Sequence, residues 1–344
     1  WDDHSNYVDN RVLQRPWSLG TLCAMFTMVR LNVYEPLGWV LKYVTVKTVG
    51  LDAWSAPQVA WVRMVSVAVH FAAGFVLAKA SAGLLDVDYV LTELRGSRGR
   101  AGLELQKRRR RSGLHFHACC VSAVVFMVHP IHVEVVGWPS AQPYTLVALF
   151  SSWALLVHLQ NIYYNLEQLI GGSMGDSLAD DKGVVLKVLL GRDATTKLPS
   201  VAILLAFVSI IAISNSGGSV PDVVSLSLTD RVLKALASPI WLLRCLLWPS
   251  KLRPHYQIRP GDLSLTNPEC LLPVMTTLAV LASVLWKMWH RAASKHVFAL
   301  VFFGFMLLPV SGLIRHGIIS GGADRYAYLS TIIAVPYGGY AVAR

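Results

Sequence analysis

Acidic side chains are scarce in this sequence. Its 344 residues include 20 Asp and Glu against 31 Lys and Arg, and charged residues of all kinds make up only 15 %. So little charge excludes a set of ordinary soluble domains, in which about a quarter of the residues are charged. Apolar residues make up 54 % instead, and several apolar stretches approach the length that a membrane-spanning helix needs. The composition therefore predicts an all-α polytopic membrane protein.

The net charge of +11 does not indicate nucleic acid binding in such a protein. Its basic residues cluster between apolar stretches, where Lys and Arg set topology and meet anionic headgroups. We therefore expect membrane lipid, and no nucleic acid, as their partner.

Paired cysteines are also lacking. The five cysteines show no paired spacing, and three lie in apolar runs, so they are read as small packing residues rather than a disulfide framework or a metal site.

The sequence divides into a mixed N-terminal part and a series of apolar runs. Residues 1–57 contain two amphipathic runs, 19–29 and 37–49, which we expect to lie along the membrane interface. Residues 58–344 should hold about eight or nine membrane segments, the ninth being the weak stretch 183–197. Residues 161–196 otherwise read mostly as loop. The apolar runs lie at residues 58–80, 114–128, 141–160, 198–214, 232–248, 271–288, 296–314 and 326–342.

The segment between the first two runs is strongly basic. From residue 95 onward it reads as a short loop that contains Arg95, Arg98, Arg100 and five consecutive basic residues ending at Arg111, against one acid in that stretch, Glu104. Positively charged loops mark the cytoplasmic side. The acidic residues at the start of the chain, one span away, should then lie on the opposite side.

Those residues are the adjacent carboxylates Asp2 and Asp3, followed six residues later by Asp9. Paired carboxylates beside a membrane can bind a cation, cap a helix or act as a base. The alternative is that they belong to a solvated loop and have no specific function. The residues alone leave these alternatives open.

Four polar clusters stand at the ends of apolar runs, and in their order and spacing they resemble a known family. They are similar to the membrane part of the transmembrane and tetratricopeptide repeat-containing (TMTC) O-mannosyltransferases, which belong to the GT-C class of glycosyltransferases. The clusters are Trp1-Asp2-Asp3, His129-Pro130-Ile131-His132-Val133-Glu134, Trp248-Pro249-Ser250-Lys251-Leu252-Arg253-Pro254-His255-Tyr256 and Ala323-Asp324-Arg325-Tyr326.

The resemblance implies a GT-C transmembrane fold with a lumenal first loop that carries interfacial helices. It implies a multi-pass protein of the endoplasmic reticulum with a lumenal active site. The reaction would transfer mannose from dolichyl-phosphate mannose, a polyprenyl-phosphate donor, to Ser or Thr hydroxyls of an acceptor protein. The chain starts in polar sequence and stops after an apolar run, so we expect a piece of a longer protein that lacks the first membrane helix and the C-terminal repeats.

The resemblance also assigns roles to site residues. Asp2 or Asp3 would be the catalytic base, and three residues would support the acidic pair or the acceptor: His132, Glu134 and Asp324. His132 and Glu134 alone are too few ligands for a metal site, so no metal is expected. Under the family's topology five bases would lie on the lumenal side, against the charge rule: Arg253, His255, Arg315, His316 and Arg325. Binding of the lipid phosphate is one reason for that position, and snorkelling of their side chains to the headgroups is the alternative.

Two other classes of protein remain as alternatives. In an ion-coupled transporter or channel the acids would handle an ion, but such charges usually lie near the midplane of broken helices, and here they lie at span ends. A non-catalytic scaffold descended from the enzyme is the second alternative, because family members often carry Lys-Glu where this chain has Lys197-Leu198.

Overall fold

The computed structural model of the chain describes residues 2–31, 33–50, 54–96, 101–171, 226–250, 252–259, 261–290, 294–313 and 322–343. These residues are mostly helical and, apart from two isolated β-bridges, form no strand. The prediction of an all-α protein is confirmed. The helices are α1 (Arg11–Gln14), α2 (Leu19–Thr27), α3 (Pro36–Val49), α4 (Ala56–Gly96), α5 (Ala101–Val128), α6 (Val133–Gly137), α7 (Gln142–Gly171), α8 (Leu228–Leu247), α9 (Pro268–Trp289), α10 (Lys295–Leu307), α11 (Asp324–Ser330) and α12 (Ala334–Val342).

Three helical stretches are long and apolar enough to cross a membrane: Ala56–Val90, Pro139–Asn165 and Pro268–Trp289. A fourth span is present if Ser112–Val128 and Pro130–Gly137, which meet at a bend of 54°, are counted as one. By length and composition the chain is therefore a membrane protein, as its hydropathy predicts.

The expected eight or nine membrane segments are not all reproduced as spans in the described part of the chain. Runs 183–197 and 198–214 lie outside the described residues. Run 232–248 corresponds to α8, which carries the cations Arg231, Lys234 and Arg244. Run 326–342 is divided by a 3₁₀ turn, Thr331–Ile333, into the two short helices α11 and α12.

Two stretches predicted as loops are helical instead. The basic stretch after the first span continues α4 to Gly96, and α5 already begins at Ala101, so residues 101–111 extend the second membrane helix. Likewise α7 continues beyond residue 160 to Gly171. Arg, Lys, Leu, Glu and Gln are all strong helix formers, and polar composition alone therefore did not end these helices.

The largest core lies between α4, α5, α7 and α12. The long helix α4 makes its most extensive contacts with α7 and α5, and the buried residues between these helices include Leu77, Phe126 and Val335. The outer faces of α4 and α5 expose large apolar side chains such as Phe75 and Val125. Helices that are apolar on both faces suit a bilayer, where lipid replaces water as the solvent.

The N-terminal helices form a second, smaller core against the start of α4. Its centre consists of Tyr7, Leu13, Met25, Trp39 and Tyr43. Large apolar side chains on the outside of these helices are exposed.

The chain changes direction sharply after α5. The helix ends at Val128 because Pro130 disfavours helical geometry in His129. His129 instead adopts an extended conformation and caps the following turn by accepting a hydrogen bond from the Ile131 N–H at 3.2 Å. Residues 129–141, which we call the connector, then return through α6 and two 3₁₀ turns to the start of α7.

Candidate functional site

The connector joins two groups of polar side chains that are distant in sequence. Arg63 near the start of α4 fixes its middle by donating a hydrogen bond from Nε to the carbonyl oxygen of Gly137 at 2.8 Å. One group comes from the N-terminal segment and binds the connector at Ser140. The other comes from the start of α11 and binds it at Glu134.

The N-terminal group is held by Asp3. Its Oδ1 accepts hydrogen bonds from the main-chain N–H of Ser140 at 2.9 Å and from the Ser140 hydroxyl at 2.6 Å. Asn6 Nδ2 donates to the same hydroxyl oxygen at 3.0 Å. Asp2 is exposed, and its carboxylate makes no hydrogen bond or ion pair with the described residues. The two carboxylates therefore differ: Asp3 is anchored and Asp2 is accessible.

Tyr7 extends this anchorage into the core. Its hydroxyl donates toward the carbonyl oxygen of Pro139 and toward Oε1 of Gln142, each at 2.9 Å. Burial raises the pKa of the Tyr7 hydroxyl, and the nearby charges of Asp3 and Glu35 raise it further. Tyr7 therefore acts as a neutral hydrogen-bond donor at any physiological pH.

A buried ion pair lies beneath the acidic segment. Lys42 is 0 % exposed, pairs with the carboxylate of Glu35, and places its Nζ 4.2 Å from the centroid of the Trp39 ring. Burial lowers the pKa of Lys42, while the charges of Glu35, Asp3 and Asp2 oppose that shift. Burial also raises the pKa of Glu35. The acidic pair thus lies within the field of a fixed cation.

The second group is held by Arg325, the second residue of α11. Its main-chain N–H donates to Glu134 Oε2 at 2.8 Å, and its guanidinium pairs with Oε1 of the same carboxylate. The guanidinium also donates to the carbonyl oxygen of Pro254 at 3.0 Å. Its carbon lies 5.1 Å from the centroid of the Trp138 ring. Arg325 therefore joins the connector, the start of α11 and the loop after α8.

Asp324 makes a separate set of contacts. Its Oδ1 accepts a hydrogen bond from the Tyr256 hydroxyl at 2.7 Å, and its N–H donates to the carbonyl oxygen of Arg253 at 3.4 Å. Burial raises the pKa of Asp324, and burial is also the largest reason for the raised pKa of Tyr256. The main chain around Arg253 is fixed by these bonds, while the Arg253 side chain is exposed.

The predicted phosphate-binding residues are only partly brought together. Arg325 lies in the site but is committed to Glu134. Arg253 and His255, two residues apart on the loop beside it, make no side-chain bond to the described residues. Arg315 and His316 lie outside the described residues. Among the described residues of this loop, Arg253 is an exposed cation that can meet an external anion.

His132, expected to support the acidic pair or the acceptor, contacts neither Asp2 nor Asp3. Its Nδ1 lies 2.7 Å from the carbonyl oxygen of Phe126, and its Nε2 lies 2.9 Å from the Thr331 hydroxyl. Both ring nitrogens are thereby used to join α5 to the turn after α11. Glu134 likewise contacts Arg325 rather than the acidic pair. Within the described residues there is no cluster of three or more His, Cys, Asp or Glu that could hold a metal ion.

Sequence reasoning missed the residues that assemble the site. Ser140, Asn6 and Tyr7 are ordinary polar residues whose partners lie far away in the chain, and no local pattern marks them. Glu35 and Lys42 are only seven residues apart, but nothing in the sequence marks the two as a buried pair. The signal that was available is the position of Ser140 directly after Trp138-Pro139, in a turn that exposes main-chain donors.

The arrangement offers groups for proton transfer at one part of the connector and for anion binding at another. It places an accessible carboxylate, an anchored carboxylate and an exposed guanidinium around one connector at the ends of apolar helices. No family model matches the chain, and neither a curated protein nor a solved structure matches it.

Proposed function

We propose that the chain is the membrane domain of an inverting GT-C-type glycosyltransferase. It moves mannose from dolichyl-phosphate mannose to Ser or Thr hydroxyls of proteins on the lumenal side of the endoplasmic reticulum. The observation that carries this proposal is the convergence of the Asp2–Asp3 segment and the Arg253–Arg325 region on one connector. The ordered resemblance to the TMTC family supplies the reaction, because a fold alone does not specify one.

In the proposed reaction the acceptor oxygen attacks the anomeric carbon of mannose from the face opposite the phosphate. The bond between that carbon and the acceptor oxygen forms as the bond between the carbon and the phosphate oxygen breaks. Dolichyl phosphate leaves, and the hydroxyl proton passes to a carboxylate. A base at the hydroxyl and cations at the departing phosphate are what this step requires.

Asp2 is the better candidate for the base. Its carboxylate is exposed and uncommitted among the described residues, whereas Oδ1 of Asp3 already accepts two hydrogen bonds from Ser140. Asp3 then positions the segment that carries Asp2. Arg253, whose side chain is exposed, meets the phosphate, and Arg325 holds Glu134 and the loop that carries Arg253.

The test is transfer of radiolabelled mannose from dolichyl-phosphate mannose to a Ser/Thr-rich acceptor, in membranes that contain the full-length protein. Asp2→Asn should abolish labelling and leave the melting temperature unchanged. Asp3→Asn should reduce labelling and melting temperature together. Asp9→Asn is the matched control, because Asp9 is an exposed acid of the same segment that pairs with His4 at 3.2 Å; it should keep full labelling.

A non-catalytic scaffold is the second candidate, and one observation favours it. The charges at this end largely neutralise one another, as Glu134 with Arg325 and Glu35 with Lys42 do. Labelling from dolichyl-phosphate glucose alone would keep the enzyme class and change the sugar. No labelling from either donor, by a protein that melts normally, would favour the scaffold.

A further inference from the structure

A buried lysine of α8 lies outside the site described above. Lys234 is only 5 % exposed, and among the described residues no carboxylate is within ion-pair distance of it. Asp230, one turn earlier on the same face of α8, instead accepts a hydrogen bond from the Ser227 hydroxyl at 2.7 Å. A buried ammonium group is costly unless its charge is compensated. The surroundings of Lys234 therefore call for an anion.

The side chain of Lys234 lies across the turn that follows α10. A Cβ atom at Gly312 would come within 2.7 Å of Lys234 Nζ and 3.1 Å of its Cδ. The neighbouring Ser311 is buried, and its hydroxyl donates to the carbonyl oxygen of Leu308 at 2.7 Å, which fixes the turn. With φ at +90°, Gly312 also has a conformation that favours glycine. The turn thus leaves room for the ammonium group.

Arg231 is directed at the same turn. Its Nε donates to the carbonyl oxygen of Gly312 at 3.1 Å, and its remaining guanidinium nitrogens make no hydrogen bond with the described residues. Residues three apart share a helix face, so Arg231 and Lys234 place two cations side by side. Two adjacent cations repel each other, and an anion bound between them would offset this repulsion.

We propose that Lys234, Arg231 and the turn at Gly312 form a binding site for a phosphate group. A guanidinium beside an ammonium group matches the charge and the several acceptor oxygens of a phosphate. The apolar side chains of Leu228 and Val232 are exposed on the same turns of α8. Because they can contact acyl chains, we take the phosphate to belong to a lipid headgroup. Free phosphate has the same chemistry, and the experiment separates the two sources.

This site is distinct from the candidate transferase site and does not rest on it. Cys245 on α8 lies 3.6 Å from the Tyr256 hydroxyl, which in turn binds Asp324. Lys234 precedes Cys245 by eleven residues, which is ~16 Å along a helix. One phosphate group cannot contact both places.

The experiment measures retention of dioleoyl phosphatidic acid by the full-length protein in detergent, using native mass spectrometry. Dioleoylglycerol, which lacks the phosphate, is the reference lipid. We expect retention of phosphatidic acid over dioleoylglycerol, and a loss of about tenfold in Lys234→Met or Arg231→Gln, because each removes a charged hydrogen bond. Arg244→Gln removes an exposed cation from the same helix and should retain the lipid. Retention that is equal in the wild type and both variants would overturn the proposal.

Two further arms separate binding from folding and identify the source. Gly312→Ala keeps every charge but adds a Cβ against Lys234 Nζ, so it should also lose the lipid. If Gly312→Ala and Lys234→Met both retain the lipid as the wild type does, and only their melting temperatures fall, then Lys234 merely stabilises the turn and the proposal is overturned. Displacement of the lipid by inorganic phosphate would show that the site accepts the free anion. Retention in excess phosphate would identify the headgroup as the ligand.

Discussion

Asp3 is bound to Ser140, 137 residues further along the chain, through two hydrogen bonds to one carboxylate oxygen, 2.9 Å from the main-chain nitrogen and 2.6 Å from the hydroxyl. This contact attaches the N-terminal segment to the connector between α5 and α7. Asp2, the neighbouring carboxylate, has no such contact among the described residues and is exposed. Two adjacent residues of the same type are thus given different environments by a single serine.

Replacing Ser140 should loosen this attachment measurably. Ser140→Ala removes the hydroxyl and keeps the main-chain donor, so we expect a loss of about 1 kcal/mol in the free energy of unfolding. Because Asp3→Asn affects the same contact, the double variant should lose less than the sum of the two single variants. Thermal melts in detergent measure these differences. Ser250→Ala, at an exposed serine, is the control; additive losses would show that the two residues act separately.

Arg325 should not be replaceable by lysine. Its guanidinium contacts Glu134 and Pro254 and lies over the Trp138 ring, and a lysine ammonium group cannot make these contacts together. We expect Arg325→Lys to lower the free energy of unfolding by about 2 kcal/mol, the value of a charged hydrogen bond.

Arg253→Lys is the matched control for this change. The Arg253 side chain is exposed, and the bonds that hold it in place use only its main chain. Its melting temperature should equal that of the wild type. A melting temperature for Arg325→Lys as high as that of Arg253→Lys would contradict the role given to the guanidinium.

Asp324 makes stability depend on pH in a defined direction. Burial raises the pKa of this carboxyl above its ordinary value, although the Tyr256 hydroxyl and the charge of Arg325 oppose the shift. The folded chain therefore binds the proton more tightly than the unfolded chain. The contribution of Asp324 to stability is full below the ordinary pKa of about 3.9 and is lost as the pH rises through the raised value.

Asp324→Asn removes this titration and keeps an oxygen that can accept from Tyr256. The melting temperature of the wild type minus that of the variant should therefore be largest at low pH and decrease as the pH rises. Thermal melts of the wild type and the variant across a pH series measure this difference in melting temperature. Groups that titrate alike in both proteins do not contribute to the difference. A difference that grows with rising pH would have the wrong sign.

The helices of this protein can be predicted from the sequence better than the contacts between its side chains can. Hydropathy identifies α4, α7 and α9, because a helix in lipid needs a long apolar stretch and little else. Pro130 marks the end of α5 for an equally local reason. The basic residues after the first span led to the wrong prediction of a loop, because Arg and Lys are compatible with a helix as well as with a loop. In the structure α5 already begins at Ala101.

The candidate site depends on long-range contacts that no local pattern encodes. His132 stands in a conspicuous polar motif, yet its two ring nitrogens join α5 to Thr331. Ser140 is inconspicuous and holds Asp3. A carboxylate such as Glu134 can be identified as important from its place at a span end, but its partner Arg325, 191 residues away, follows only from the fold.

The pair formed by Glu35 and Lys42 should be more sensitive to single than to double replacement. Lys42→Met would leave the Glu35 carboxylate buried without its cation, and breaking a buried pair costs roughly 3–5 kcal/mol. Replacing both residues, as Glu35→Leu with Lys42→Met, removes the uncompensated charge and should recover most of the loss. Lys47→Met removes an exposed lysine of the same helix, whose Nζ donates to the carbonyl oxygen of Gln14 at 3.1 Å and lies 5.3 Å from the centroid of the Tyr43 ring, and should lower the melting temperature far less. Equal melting temperatures for the single and double variants would contradict this coupling.

Close approach of α12 to α5 depends on the absence of a side chain at Gly339. A Cβ atom there would lie 2.5 Å from Cys119 Sγ and 3.3 Å from Cys119 Cα, so the two helices would have to move apart. We expect Gly339→Ala to cost about 1–3 kcal/mol, the usual effect of overpacking. Gly304→Ala is the control, because a Cβ in the middle of α10 would meet nothing within 4 Å. It should leave stability unchanged or raise it by up to ~1 kcal/mol through its better helix propensity. Because Cys119 Sγ is the nearer of the two atoms, the double variant Cys119→Ala with Gly339→Ala should recover part of the lost stability. A Gly339→Ala protein that melts at the same temperature as the Gly304→Ala protein would show that the two helices are not in tight contact.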